Sequence, residues 1–285
     1  MKLLLLNFTI VILISGCNIH TSNDSNSTNN FSLEKIWSTD TLLTTCESTL
    51  YDKKNDVIYV SNINRELNNS KKDGFISKIN TEGKILDLKW IDGLTFPKGM
   101  GLYNDTLYVT EINTFVIIDI QKGEIINRIP VVGSEFLNDI SVDENGVIYI
   151  SDSKTNKVFA YSNGKVEIWL ENGLDQLNGI FCEKNRLLAG GSDLYSVDYK
   201  TKEVTVLNDS INGADGVVHA GNNYYFVSNW PGEIYLVAPD SSIYFLIDTK
   251  PQEINTADID YIENKNLLLV PTFFKNRVDA YRLIK

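Results

Sequence analysis

From residue 32 onward the apolar positions gather in short β-rich runs set off by polar turns, and the arrangement recurs six times. The copies begin ESTLYDKKNDVIYVSN at Glu47, KGMGLYNDTLYVTE at Lys98, NDISVDENGVIYISD at Asn138, NGIFCEKNRLLAGG at Asn178, DGVVHAGNNYYFVSN at Asp215 and DIDYIENKNLLLVPT at Asp258. Successive openers are 51, 40, 40, 37 and 43 residues apart. Within a copy, a short first run meets a polar turn and then a strand-like run, as at residues 56–60, 106–109 and 147–150. The turns hold Lys53-Lys54-Asn55, Asn104-Asp105 and Glu144-Asn145-Gly146, residue types that tolerate tight hairpins. Third runs (74–79 and 157–161) and fourth runs (such as 165–170) complete four strands per unit. A period near 40 is one four-stranded blade, and six such units close a ring. The pattern therefore predicts an all-β, six-bladed β-propeller over residues 32–285.

The last run, residues 278–283, is only the third of its blade. Residues 33–38 at the other end of the chain have the pattern of the missing fourth strand. Such a closure removes two exposed sheet edges. Meander topology then puts each opener, and each loop from second to third strand, on one face of the ring. Blade one carries extra polar residues in that loop, 64–73, which are expected to overhang the centre.

Upstream of the repeat the chemistry changes. Lys2 and the apolar run 3–14 lead through Ile14-Ser15-Gly16 to Cys17, too short an apolar run for a stable bilayer span. Residues 1–16 read as a lipoprotein signal peptide and Cys17 as the lipidation site. Residues 17–31 follow as a polar, Asn/Ser-rich tether. The expected location is the bacterial cell envelope, with the membrane reached only through the lipid anchor and the propeller a monomer. Net charge is −11 and no segment clusters Lys or Arg with aromatics, so nucleic acid is excluded as a partner. Cys46 and Cys182 fall in opposite blades, which argues against a disulfide.

The ring brings the six openers together around its axis. Glu47, Asn138, Asn178 and Asp215 offer hard oxygen atoms with a formal charge of −2, the donor set of a divalent cation of the calcium type. No His or Cys belongs to the set, which argues against zinc or copper. Lys98 has three readings. It neutralises a hub carboxylate and excludes the metal, it polarises a substrate carbonyl from outside the metal shell, or it bridges Asp258. His219 reads as a satisfied core histidine. Asn62, Glu111, Asp152 and Asn229, at the ends of second strands, form an outer ring expected to hydrogen-bond the inner one.

The ordered set resembles the calcium-dependent propeller hydrolases: gluconolactonase/regucalcin-like lactonases, diisopropylfluorophosphatase and paraoxonases. The resemblance runs through Glu47 with Tyr59-Val60-Ser61-Asn62, then Asn138-Asp139, Asn178-Gly179 and Asp215-Gly216, in the same order and blade phase. It implies a small-molecule lactone or ester as substrate and calcium as cofactor. It also implies Glu47, Asn178 and Asp215 as metal ligands, Asn138 as a fourth ligand or substrate contact, and Asp215 as base or nucleophile. Gluconolactonases carry Arg two residues before the middle-blade Asn, where this chain has Phe136. With Phe96, Trp230, Phe273 and Phe274 predicted on the same face, a fairly apolar substrate is expected in place of a sugar acid. The alternative is a non-catalytic propeller that binds a protein or glycan.

Overall fold

The computed structural model describes residues 31–64 and 73–285. The signal, lipidation and tether expectations (residues 1–30, including Cys17) and most of the blade-one insertion lie outside the described residues. Among the described residues no helix is long and apolar enough to cross a membrane.

Six four-stranded antiparallel sheets form the ring. Their innermost strands are Cys46–Asp52, Met100–Tyr103, Leu137–Val142, Ile180–Cys182, Ala214–Gly221 and Asp260–Ile262. Blade six is composite, because Ser32–Ser38 pairs antiparallel with Val278–Ile284 from Ser32↔Ile284 to Ser38↔Asp279. Lys35 Nζ fixes that junction on Asp279 Oδ2 at 2.7 Å. The predicted closure is thus observed, within a residue of its expected bounds.

Apolar side chains pack between neighbouring blades. Tyr59, Ile76 and Leu94 of blade one meet Met100, Leu107 and Val116 of blade two, all of them buried. Phe115, Leu137, Ile150 and Phe159 close the next seam in the same way. The hydrophobic effect is satisfied in these radial seams, so the axis is left for polar residues.

Neighbouring inner strands approach very closely at the axis. At two seams an inner-strand N–H reaches the next blade's backbone directly, Gly99 N to Asn138 O (2.9 Å) and Asp258 N to Glu47 O (3.0 Å), while Ser48, Asp139 and Gly216 donate theirs to the hydroxyls of Ser61, Ser151 and Ser228. A Cβ on Gly179 would fall 1.7 Å from the Asp215 carbonyl oxygen, which only glycine avoids. The Asn-Gly and Asp-Gly openings of the repeat therefore record a backbone contact between blades.

Candidate functional site

The hub has two polar layers. The upper one contains Glu47, Lys98, Asn138, Asn178 and Asp215, one from each of blades one to five. The sixth member is Ala257, since its N–H bonds Pro271 O at 3.1 Å as Lys98 N bonds Thr110 O and Asn178 N bonds Gly190 O. Asp258, read from the sequence as the sixth opener, lies one residue deeper, level with Ser48, Gly99 and Asp139. The chain enters four of these positions through a left-handed residue two places earlier: Thr45, Phe96, Gln176 and Gly213, with φ between 50° and 67°. That turn swings the opener toward the axis.

Lys98 is the centre of the upper layer. Its Nζ donates to Glu47 Oε1 at 2.9 Å and to Asn138 Oδ1 at 3.2 Å, and it lies 5.0 Å from the Phe136 ring centre. Phe136 thus caps the ammonium by a cation–π contact, at the position where the resembled lactonases have arginine. The bridge of Lys98 to Asp258 is not observed; Asp258 Oδ2 accepts from Ser48 Oγ at 2.6 Å instead. Asn138 Nδ2 donates to Asn178 Oδ1 and to Ser153 Oγ, the latter at 2.8 Å. Glu47 Oε2 is buried and has no hydrogen-bond partner.

Below lie Asp139 and Asp258. Asp139 accepts from the N–H groups of Ile140 (2.6 Å) and Ile180 (2.7 Å), fastening blade three to blade four. Burial pushes the Asp139 carboxyl up to about 7 and that of Asp215 up to about 8, with the Glu47 charge adding to both and Lys98 opposing. Asp258 is raised by burial and by the charges of Asp139 and Glu47. Four acids thus surround one base. Asp139 figured in the sequence only as the second residue of the Asn138-Asp139 opening, with no role of its own; its signal was a carboxylate where blades two, four and five have glycine.

The outer ring does other work than expected. Glu111 takes both its oxygens to Arg128 Nη1 at 2.7 Å and also accepts the Thr95 N–H. Asp152 accepts four loop N–H groups, those of Glu135, Phe136, Lys154 and Thr155. Asn229 likewise holds its own loop, accepting from the Gly232 and Glu233 N–H groups, whereas Asn62 donates within its blade to Val60 O and Ser77 Oγ. Glu111, Asp152 and Asn229 thus pin loops on the opener face, and none of the four bonds an opener. His219 accepts from Gly221 N and stacks edge-on with Tyr225, with no contact to the hub. Cys46 and Cys182 are both free.

The expected metal ligands Glu47, Asn138, Asn178 and Asp215 do meet in one layer. Glu47 Oε2, an orphaned acceptor beside a second carboxylate, suits a hard cation. Against that, Lys98 already holds one oxygen of Glu47 and the oxygen of Asn138. Among the described residues no three His, Cys, Asp or Glu side chains form a metal cluster by themselves.

No protein-family model matches the chain, and no curated protein does. Solved structures of similar shape include a gluconolactonase from Xanthomonas campestris, at 12% identity and TM-score 0.68 over 85% of this chain and 86% of that one. Another is a catalytically inactive virginiamycin B lyase from Staphylococcus aureus bound to quinupristin, at 14% identity and TM-score 0.63 over 90% of this chain and 100% of that one. At such identities the likeness establishes a shared propeller fold.

Proposed function

We propose that the protein is a hydrolase of a small-molecule lactone or related ester, acting at the upper layer of the hub. The observation that carries this reading is Glu47, whose buried Oε2 has no partner in a ring that also holds Asp215 and two amides. Leaving a carboxylate oxygen unsatisfied costs on the order of 1–3 kcal/mol, an expense expected where a ligand supplies the missing contact. The gluconolactonase of like fold supports the same substrate class.

On this reading Glu47, Asn178 and Asp215 would hold a calcium-type cation, with Asn138 as a fourth ligand or a substrate contact. When bound, such an ion polarises a carbonyl and acidifies a bound water. Lys98 donates a hydrogen bond to the substrate carbonyl oxygen from beside that set. In the metal-free hub burial raises the Asp215 carboxyl to about 8, so it holds its proton near neutral pH; a bound cation would favour the ionised form, in which Asp215 would take the proton of the attacking water and return it to the leaving oxygen. A second reading, a non-catalytic module binding a protein or glycan at the cell envelope, is favoured by the Lys98 contacts. There the ammonium already answers the charge of Glu47.

Thermal unfolding of the chelator-treated protein in a calcium titration separates the two. The hydrolase reading expects a rise of roughly 5–10 °C at a hundredfold excess over Kd, from about 2.7 kcal/mol of mass action. Asp215→Asn should diminish the rise and abolish lactone hydrolysis. Lys98→Met should keep the calcium response and lose turnover if Lys98 serves the substrate. If Lys98 stands in for the cation, the same variant gains a calcium response that the wild type lacks. A wild type with neither calcium response nor hydrolysis leaves the binding module as the reading.

A further inference from the structure

The mouth of the hub is two-sided. Blades one to five present charged or amide side chains, whereas blade six contributes Ala257, fully buried in an apolar cluster with Ile63 and Phe273, against which Phe96 packs. Phe273 is joined to the hub by its backbone, through an isolated bridge to Cys46, the neighbour of Glu47. Trp230, from the second-to-third loop of blade five, continues the wall. Its ring meets Phe273 at 5.7 Å and Phe274 at 6.0 Å, and Phe273 and Phe274 meet at 4.7 Å, all edge-on. Phe273 is nearly buried, but Trp230 is 42% and Phe274 55% exposed. Large aromatic rings left half in water on the face that carries the polar openers mark a place where something apolar is received.

Backbone geometry points to the same sector. Most non-glycine residues with left-handed φ are Asn, Asp or other turn formers, but Phe96 (φ 56°) and Phe273 (φ 45°) are bulky aromatics. Left-handed backbone is disfavoured for such side chains, and such strain is retained where the surrounding structure requires the residue. Gly213 makes the corresponding turn in blade five without that strain. The two strained phenylalanines are both members of the blade six–blade one cluster.

We propose that Trp230, Phe273 and Phe274 form a subsite for an alkyl or aryl group, so that the ligand of the hub is amphipathic. Its carbonyl lies toward Lys98 and Asn138, and its hydrocarbon part lies over the aromatic wall. The choice of a lactone as this ligand rests on the hydrolase reading, but the binding itself does not require turnover. A sugar lactone, with a hydroxyl on nearly every carbon, leaves most of those hydroxyls without a hydrogen-bond partner on such a wall, whereas a long-chain lactone buries its hydrocarbon there.

Two measurements on the full-length protein separate the subsite from the hydrolase reading. Binding of γ-undecalactone, γ-butyrolactone and glucono-δ-lactone is followed by calorimetry and by tryptophan emission. Hydrolysis of the same three is followed by proton release. The subsite expects the long-chain lactone to bind most tightly, gaining up to about fourfold per buried methylene. It also expects binding to quench emission through Trp230, so that the quenching is lost in Trp230→Phe, and Phe274→Ala to compress the difference between long and short lactones at least tenfold. Both positions are half-exposed, so these variants keep the fold. Tight, Trp230-dependent binding without hydrolysis upholds the subsite and removes the hydrolase reading. Hydrolysis of all three with no advantage for the long chain overturns the subsite and leaves the hydrolase reading standing. Absence of both binding and hydrolysis overturns both.

Discussion

Asp215 shows how far the surroundings of one side chain set its proton. Burial is the largest cause of its rise to about 8, the Glu47 charge adds to it, and Lys98 opposes. In the unfolded chain the same carboxyl titrates near 4. Between about pH 4 and pH 8 the unfolded chain therefore releases a proton that the folded one keeps, and stability falls as pH rises through that window. Asp139, raised to about 7, acts in the same sense. The metal-free protein is expected to lose melting temperature steadily between pH 5 and pH 8.5. Asp215→Asn, with no proton to lose, should flatten part of that slope, and an identical slope in the variant would contradict the assignment. Glu47, Lys98, Asn138, Asn178 and Asp215 could be located from the sequence because each opens a repeat. The Asp258 assignment erred by one residue because its blade opens Ala257-Asp258, and a small apolar residue gives no sign of being an opener. Asp139 was hidden because its weight comes from tertiary neighbours: the Ile180 N–H and the hub charges.

At the scale of elements, the strands were legible wherever two forces agreed. Polar turns such as Asn104-Asp105 sit between β-rich runs, and Met100–Tyr103 pairs with Thr106–Thr110 across that turn as the pattern implied. The outer ring was misread because strand-end polar residues look alike whether they serve loops or ligands. Asp152, with its four N–H partners, is a loop anchor. Contact between inner strands was written in the glycines but not readable as contact. Gly179→Ala would drive a methyl group into the Asp215 carbonyl, so it should cost at least about 1–3 kcal/mol in urea unfolding. Val132→Ala, at a side chain exposed to solvent, should stay within about 0.5 kcal/mol. Equal midpoints for the two variants would show that the blades are not in contact there.

For the molecule as a whole, closure rests on one short strand. Removing residues 31–38 strips Val278–Ile284 of its outer partner, leaving only Leu267–Pro271 beside it, and exposes Asp279, which is buried and paired with Lys35 and Arg277. The truncated protein is expected to melt well below the full-length one; melting at the same temperature would show that the ring does not depend on this strand. The ring was predictable as a whole because its period repeats, whereas the two-sidedness of its mouth was not. That asymmetry comes from Ala257 packing with Ile63 and from Phe273 bridging to Cys46, contacts between opposite ends of the chain.

The composite blade also sets an order of events. Blades one to five are local meanders, each able to pair its strands as soon as its own stretch of chain exists. Blade six and the bond from Asp258 N to Glu47 O need both ends of the chain, so loop-closure entropy defers them to the end of folding. Until that step Glu47, Asp215 and Asp258 are expected to keep water that the closed ring excludes. The cost of desolvating them therefore falls on the closing transition itself, and the last blade to form is the one that commits the hub to its charges.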